Sequence, residues 1–428
     1  MTIPLDRLYH YILDQAEQIH GEPVDLLRFY PHGSKDIKDL GSIQNIPGYQ
    51  KFISPMIFCY DQEPLDFARY QDVEHDDKYN LYYKKYNLQK YNFQSNRQNI
   101  YDKSILLHSE QRSENLQKYY DNWFIPSYYW SHALISLDWF RFAQHQQQKK
   151  KSNKIFLIYN RAWSNTREYR LRFLELLVES NLHDHCLASC NPIDSELGTH
   201  YSFHKFKDSK WKPNMVLEYY FPINSAPSHS SADFDLEDYQ QTDIEVVLET
   251  MFDDDRLWLT EKSLRPMACA QPFILAATHG SLKLLRDYGF QTFAHIWDEK
   301  YDLILDPEQR LLQISSLMKQ ISNWTPEQRA KKIAQARVVA DYNKRHFFSQ
   351  DFFQRVIGEL RDNLAAALAK LESTNTSKIW IQRRKRLWQI PEYRNSWYDF
   401  GPNSYWPGRT RQDIMQVLKR ARLYYNRA

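Results

Sequence analysis

The residues best suited to chemistry lie between Glu249 and Lys262. Glu249 ends the apolar stretch 243–249, whose composition predicts a buried strand. Thr260, Glu261 and Lys262 follow at the predicted start of a helix, with Thr260 as the N-cap. Free N–H groups and the helix dipole attract anions at a helix N-terminus, so an ammonium beside them predicts a phosphate or diphosphate site. The carboxylates of Glu249 and Glu261 are suited to accept hydrogen bonds from sugar or ribose hydroxyls.

A second group of polar residues follows the apolar run 155–159, which predicts another buried strand. Asn160 and Arg161 come directly after it, and a guanidinium forms paired hydrogen bonds with diphosphate oxygens. The alternative for Arg161 is a local ion pair with Glu168. Arg265 lies on the same predicted helical face as Lys262 and is a further candidate for binding the same anion.

Strands and helices must alternate along the chain to position these residues. Strands are predicted at 25–30, 55–60, 103–108, 155–159, 243–249 and 272–276, and helices at 166–180, 260–268, 280–288, 326–346 and 350–372. This alternation is typical of α/β folds with parallel sheets, in which ligands bind at the carboxyl ends of the strands.

The domain organisation follows from the same reading. We predict an N-terminal α/β domain at 1–145, a second at 155–345, a long amphipathic helix at 346–377 and an extension at 378–428. The polar stretch 144–154 is interpreted as a linker, and 221–241 as an exposed loop.

Two resemblances attach a function to these patterns. Glu249 and Thr250, followed by LTEKSLRPMACAQPFILA, resemble the donor-binding segment of the α1,3-fucosyltransferases. Thr250 and Met251 replace an Asn and a Ser of that pattern, which leaves the sugar and the nucleotide open. The stretches DQEP, HALISLDWFR and GFQTFAHIWDEKYD look like glycosyltransferase-like proteins of tailed phages.

The resemblance implies a particular fold and activity. It implies two Rossmann-like domains facing a cleft, the GT-B arrangement, with a nucleotide-sugar donor in the C-terminal domain and the acceptor in the N-terminal one. The donor is a substrate, and neither a resident cofactor nor a metal is expected. The predicted donor-binding residues are Asn160, Arg161, Glu249, Thr260, Glu261, Lys262 and Arg265.

A sugar transfer also needs a base that removes the acceptor proton. Asp61 and Glu63 follow a predicted strand, and Glu63 is the predicted base, with Asp61 beside it. The alternative is that both carboxylates only stabilise the start of a helix. His32, Ser34 and His108 also follow predicted strands and are expected to bind the acceptor, with the donor as the alternative partner of His32 and Ser34.

The C-terminal extension is basic and aromatic. Residues 378–428 carry twelve lysines and arginines against three acidic residues, interleaved with ten aromatic residues, although the whole chain is only +3. Cations neutralise phosphates and aromatic rings stack on bases, so the extension predicts a nucleic-acid partner. The alternative is that it packs on the main body. The predicted contacts are Arg383, Arg384, Lys385, Arg386, Trp388, Arg409 and Arg411.

The acceptor remains open at this stage. A hydroxymethylated base in phage double-stranded DNA, flipped out of the stack, fits the basic extension. A surface polysaccharide or a protein is an alternative acceptor. A further alternative is a non-catalytic nucleic-acid-binding protein on a sugar-transfer scaffold.

Composition excludes several classes of protein. A chain of 428 residues that is 42% hydrophobic and 25% charged is globular and not disordered. No run of apolar residues reaches membrane-spanning length, and no signal peptide is expected. Four cysteines are too few for a disulfide scaffold, so a cytoplasmic location is expected. The acidic cluster of Asp298, Glu299 and Asp302 is predicted to order a loop or to pair with Lys300.

Overall fold

The computed structural model describes residues 5–21, 24–29, 56–60, 104–111, 127–146, 150–188, 190–194, 198–221 and 234–374. Within them, helices and parallel strands alternate, so the protein is of the mixed α/β class. The described residues form two compact units: one is Ile135–Phe353, and the other combines the residues up to 134 with those from 354 onward. No helix in the described part of the chain is both long and apolar enough to span a membrane.

The unit containing the N-terminal residues has a parallel sheet with the strand order β1-β2-β3-β4. Helix α1 precedes the sheet and buries Leu8, Ile12 and Ala16, which recur at helical spacing. The first three strands are confirmed where the sequence predicted them, whereas α1 and β4 were not predicted. The elements are α1 (Leu5–His20), β1 (Asp25–Phe29), β2 (Met56–Tyr60), β3 (Ser104–His108) and β4 (Ser127–Tyr129).

The other unit has a second parallel sheet, with the strand order β6-β5-β7-β8. The chain enters at β5, adds β6 on one side, and then crosses to the other side for β7 and β8. Successive connections therefore diverge between β5 and β7, and in open α/β sheets such a reversal opens a crevice at the carboxyl ends of the strands. The strands are β5 (Phe156–Ile158), β6 (Cys186–Ala188), β7 (Ile244–Leu248) and β8 (Phe273–Ala276).

Helices surround this second sheet. The strands β5, β7 and β8 are buried along their whole length, which explains why β5 and β8 are wholly apolar and why β7 is apolar except for Glu245. Helix α8 packs on α5, and α7 packs on α3. The helices of this unit are α2 (Ala133–Trp139), α3 (Tyr169–Glu179), α4 (Leu236–Gln241), α5 (Glu261–Ala268), α6 (Ser281–Asp287), α7 (Pro307–Ser322) and α8 (Pro326–Phe347), whereas α9 (Gln350–Thr374) belongs mostly to the other unit.

Two stretches interpreted as loop or linker are more ordered than expected. Within 221–241, helix α4 forms and buries the Tyr239 side chain, so the exposed-loop interpretation was wrong there. Within 144–154, the Lys150 ammonium donates hydrogen bonds to the carbonyls of Tyr239 and Thr242 and to the Gln271 amide oxygen. Burial lowers the pKa of Lys150 to about 7. This part of the predicted linker is thus attached to the second sheet.

Candidate functional site

Polar residues gather at the carboxyl ends of β5 and β7, where the strand order reverses. Asn160 follows β5 and Glu249 follows β7. The buried Arg170 of α3 joins the two strand ends: its Nη1 donates to the Ala162 carbonyl at 2.6 Å, and its Nη2 donates to the Leu248 carbonyl at 2.7 Å. The ends of these two strands therefore belong to one hydrogen-bonded arrangement.

Asn160 is the most informative residue of this arrangement. Its side chain is buried, with 4% of the residue exposed, and neither its amide nitrogen nor its amide oxygen has a hydrogen-bond partner among the described residues. A buried polar group left unsatisfied costs about 1–3 kcal/mol, so native proteins retain few of them. A carboxamide can both donate and accept hydrogen bonds, which suits a nucleobase edge or a sugar hydroxyl as its missing partner.

The loop after β5 is held by a residue that the sequence analysis did not identify. The fully buried carboxylate of Asp194 accepts hydrogen bonds from the backbone nitrogens of Trp163 and Ser164, at 2.9 and 3.0 Å. Its second oxygen accepts from the Ser164 hydroxyl at 3.0 Å. Asn165 then adopts a left-handed conformation, with φ of 60°. A carboxylate thus fixes this turn without a glycine, and with it the loop that begins at Asn160.

The side-chain carboxylate of Glu249 lies at the N-terminus of helix α5. Its carboxylate is completely buried and accepts hydrogen bonds from the Thr260 backbone nitrogen at 2.9 Å and from the Ser263 hydroxyl at 2.7 Å. Thr260 is confirmed as the N-cap, because its hydroxyl accepts a hydrogen bond from the Lys262 backbone nitrogen. The anion at this helix N-terminus is therefore the protein's own carboxylate. A ligand hydroxyl that bound Glu249 would have to replace one of these bonds.

Lys262 keeps its ammonium at the start of the same helix. Its Nζ lies 2.6 Å from Oε1 of the buried Glu261 and 3.4 Å from the Thr260 hydroxyl, and 16% of its side chain is exposed. The ammonium does not extend into bulk solvent. An anionic ligand could bind this ammonium only by competing with the Glu261 carboxylate for it.

Arg265 serves the domain core. Its guanidinium donates to Oε1 of Glu245, at 2.6 Å from Nη2, and lies 4.5 Å from the centre of the Tyr159 ring. The hydroxyl of Tyr239 donates to the other oxygen of Glu245 at 2.6 Å. Contact between Arg265 and a ligand anion would require this buried ion pair to separate. Arg161 is partly buried and directly follows Asn160.

Two buried arginines add positive charge at this edge of the sheet. Arg310 of α7 donates to the Phe252 carbonyl in the loop after β7 and to the Ile304 carbonyl, and burial lowers the pKa of its guanidinium to about 10. Like Arg170, it forms no ion pair with a carboxylate among the described residues. Carboxylates nearby nevertheless favour the charged form of each guanidinium, Glu249 for Arg170 and Asp302 for Arg310. The sequence contains no signal for this, because arginine is usually exposed.

Thr278 is a further residue that the sequence analysis missed. It follows β8 at the same edge of the sheet, and its buried hydroxyl oxygen lacks a hydrogen-bond partner in the described part of the chain. Its backbone nitrogen donates to the Met251 carbonyl at 3.1 Å, which ties it to the loop after β7. Like Asn160, it offers a hydrogen bond to a ligand.

In the other unit, His108 is the predicted acceptor residue that the structure describes. It ends β3 and is buried, and its Nδ1 has no partner among the described residues. Burial lowers the pKa of its imidazole to about 3. A neutral ring with so low a pKa accepts a proton poorly at neutral pH. His108 is therefore better suited to form a hydrogen bond with the predicted acceptor substrate than to act as a catalytic base.

Several predicted site residues lie outside the described residues. These are Asp61, Glu63, His32, Ser34, Arg383, Arg384, Lys385, Arg386, Trp388, Arg409 and Arg411.

The acidic cluster after α6 orders the surrounding loops, as predicted. Glu299 accepts a hydrogen bond from the Phe293 backbone nitrogen at 2.6 Å, and Asp302 accepts from the Leu282 nitrogen at the start of α6. Asp298 accepts from the Lys300 nitrogen at 2.9 Å. Across the described ranges, no group of three or more His, Cys, Asp or Glu side chains is arranged to hold a metal ion.

Comparisons of the chain with protein-family models, with curated proteins and with solved structures gave no match.

Proposed function

We propose that this chain is a nucleotide-sugar-dependent glycosyltransferase with two Rossmann-like domains in the GT-B arrangement, and that the donor binds at the carboxyl edge of the second sheet. The observation that carries the proposal is the unpartnered, buried carboxamide of Asn160 beside the reversal of strand order. The resemblance of the segment from Glu249 to the α1,3-fucosyltransferases supports the same location.

Each residue of the edge has a part in this proposal. Asn160 hydrogen-bonds the nucleoside or the sugar, and Thr278 adds a hydroxyl. Lys262, released from Glu261, and Arg161 bind the diphosphate and stabilise the charge that develops on it as the leaving group. Glu249 positions the helix that carries Lys262.

The acceptor side of the proposal rests on the first unit and the basic extension. His108 would hold the acceptor through hydrogen bonds, while Glu63, with Asp61 beside it, stays the predicted base. A hydroxymethylated base in DNA is the acceptor that the charge of residues 378–428 favours.

The test is a binding panel of nucleoside diphosphates on the full chain, read by thermal shift and isothermal calorimetry. One of them is expected to stabilise the native state, by about 2.7 kcal/mol at a hundredfold excess over Kd. Lys262→Ala should weaken that binding by roughly tenfold, because it removes a charge-assisted contact. Lys283→Ala is the matched control, since Lys283 is an exposed helical lysine paired with Asp287. The proposal fails if no diphosphate binds, or if the two lysine variants bind it equally well.

A further inference from the structure

Two aromatic side chains between β6 and β7 are almost completely exposed. Phe203 is 85% exposed and Tyr219 is 84% exposed. Aromatic rings bury large areas and contribute much of the energy of interfaces. Two such exposed rings on one short segment therefore indicate a binding surface for a ligand with planar groups that can stack on them.

Hydrogen bonds link the two stretches of chain that carry these rings. The Nε2 of His200 lies 3.1 Å from Oε1 of Glu218, and the hydroxyl of Tyr201 donates to the other oxygen of Glu218. The Phe203 ring lies 6.1 Å from the His200 ring, and Tyr219 directly follows Glu218. The Phe203 ring thus lies beside one end of this hydrogen-bonded unit, and Tyr219 adjoins Glu218, at the other end, in the sequence.

The same segment carries unpaired positive charge. Lys205, Lys207 and Lys212 are exposed, and their ammonium groups have no partner among the described residues. The acids of the segment are already engaged: Glu218 by His200, and Asp208 by Lys210 at 3.1 Å. The segment therefore complements a negatively charged ligand.

We propose that this surface, formed by Phe203, Lys205, Lys207, Lys212 and Tyr219, binds single-stranded nucleic acid. Bases stack on the two rings, and phosphates contact the three lysines. His200 and Glu218 disfavour a membrane as the partner, because inserting the adjoining Phe203 and Tyr219 side chains would carry this polar pair toward the lipid chains. The inference is independent of the donor site, and it holds whether the chain is an enzyme or only a binding protein.

The first test is fluorescence anisotropy of the full chain with a labelled oligothymidylate. The double variant Phe203→Ala/Tyr219→Ala should bind at least about thirtyfold more weakly, because each of the two stacked bases contributes about 1–3 kcal/mol. The matched control is Leu303→Ala/Leu305→Ala, which removes two apolar side chains that are 72% and 71% exposed elsewhere in the same unit. Unchanged affinity in the aromatic variant, or an equal loss in the control, would overturn the proposal.

A second test separates this surface from the basic extension at 378–428. Replacing the three lysines by alanine should reduce the slope of log affinity against log salt by about 2, at roughly 0.7 per phosphate contact. An oligonucleotide carrying bromodeoxyuridine should photo-cross-link to Phe203 or Tyr219. Cross-links found only in the extension would contradict the proposal. So would variants that lose binding to phosphatidylserine vesicles but keep binding to the oligonucleotide.

Discussion

Thr260 donates to both carboxylate oxygens of Glu249, from its backbone nitrogen at 2.9 Å to Oε1 and from its hydroxyl at 2.8 Å to Oε2. The end of β7 and the start of α5 are thereby joined through a buried carboxylate. An internal anion already satisfies this helix N-terminus, so a diphosphate would be met by the Lys262 side chain rather than by free backbone N–H groups.

Replacing Thr260 by alanine should therefore cost more than the loss of an ordinary N-cap. The variant leaves the Glu249 carboxylate buried with fewer donors, so we expect the free energy of unfolding to fall by about 2 kcal/mol or more. Thr325→Ala is the matched control, because Thr325 caps α8 at an exposed site, and it should cost about 1 kcal/mol. Urea titration followed by circular dichroism measures both. Equal losses would show that Glu249 does not depend on Thr260.

The Arg265–Glu245 ion pair should prove to be structural. Arg265→Met leaves the Glu245 carboxylate buried without its cation, so we expect a loss of about 3–5 kcal/mol in stability. The double variant Arg265→Met/Glu245→Gln should regain much of it, because no uncompensated charge remains. Calorimetry with the diphosphate found in the binding panel should show affinity kept in the double variant. If the double variant lost its affinity for the diphosphate, Arg265 would have to be a ligand-binding residue.

His108 predicts acid sensitivity. The unfolded chain binds a proton at this residue below about pH 6.5, whereas the folded protein keeps it neutral down to about pH 3. Stability should therefore fall as the pH is lowered through that window, by up to about 1.4 kcal/mol per pH unit. His108→Gln should flatten this dependence in urea titrations at a series of pH values, while the exposed His295→Gln should not. The same slope in His108→Gln and the native protein would refute the assignment.

Asp194 should control the order of the loop after β5. Asp194→Ala removes the acceptor for the backbone nitrogens of Trp163 and Ser164, so we expect faster hydrogen exchange at these two amides. Stability should fall by about 1–3 kcal/mol, because buried donors lose their partner. Asp184→Ala, at an exposed carboxylate, is the control. Unchanged exchange at Trp163 and Ser164 would show that the turn is held by other contacts.

Local pattern was enough to predict much of the second sheet. The strands β5 and β8 are continuous apolar runs, and β7 is apolar except for Glu245, because all three are buried. The Thr260 cap follows from a polar residue just before a helix. Strand β6 was missed because its apolar run is confined to Cys186–Ala188, between the polar residues His185 and Ser189, whereas the run around β5 covers five residues. Its position nevertheless decides the order of strands, and so the location of the crevice.

The supporting contacts of the site could not be predicted in this way. Asp194 reaches Trp163 across about thirty residues of chain, and Arg170 reaches Leu248 across more. Such pairings depend on how the elements pack, which periodicity and spacing do not encode. For the same reason, the sequence grouped Arg265 with Lys262 on one helical face, although Glu245 binds the arginine in the core.

A substitution at Asn160 can show whether this residue binds a ligand or stabilises the fold. Asn160→Leu removes a buried amide that has no partner among the described residues, so the free energy of unfolding should stay the same or rise. Affinity for the diphosphate found in the panel should fall by roughly tenfold or more, which corresponds to about 1.4 kcal/mol. Asn343→Leu is the matched control in the same unit: Asn343 is also buried, but its side chain bonds the backbone nitrogen and carbonyl of Gln291 at 2.8 and 2.9 Å. That variant should lose stability and keep its affinity for the ligand. If Asn160→Leu instead destabilises the protein as much as Asn343→Leu does, the Asn160 amide holds the fold together, and the donor site must lie elsewhere.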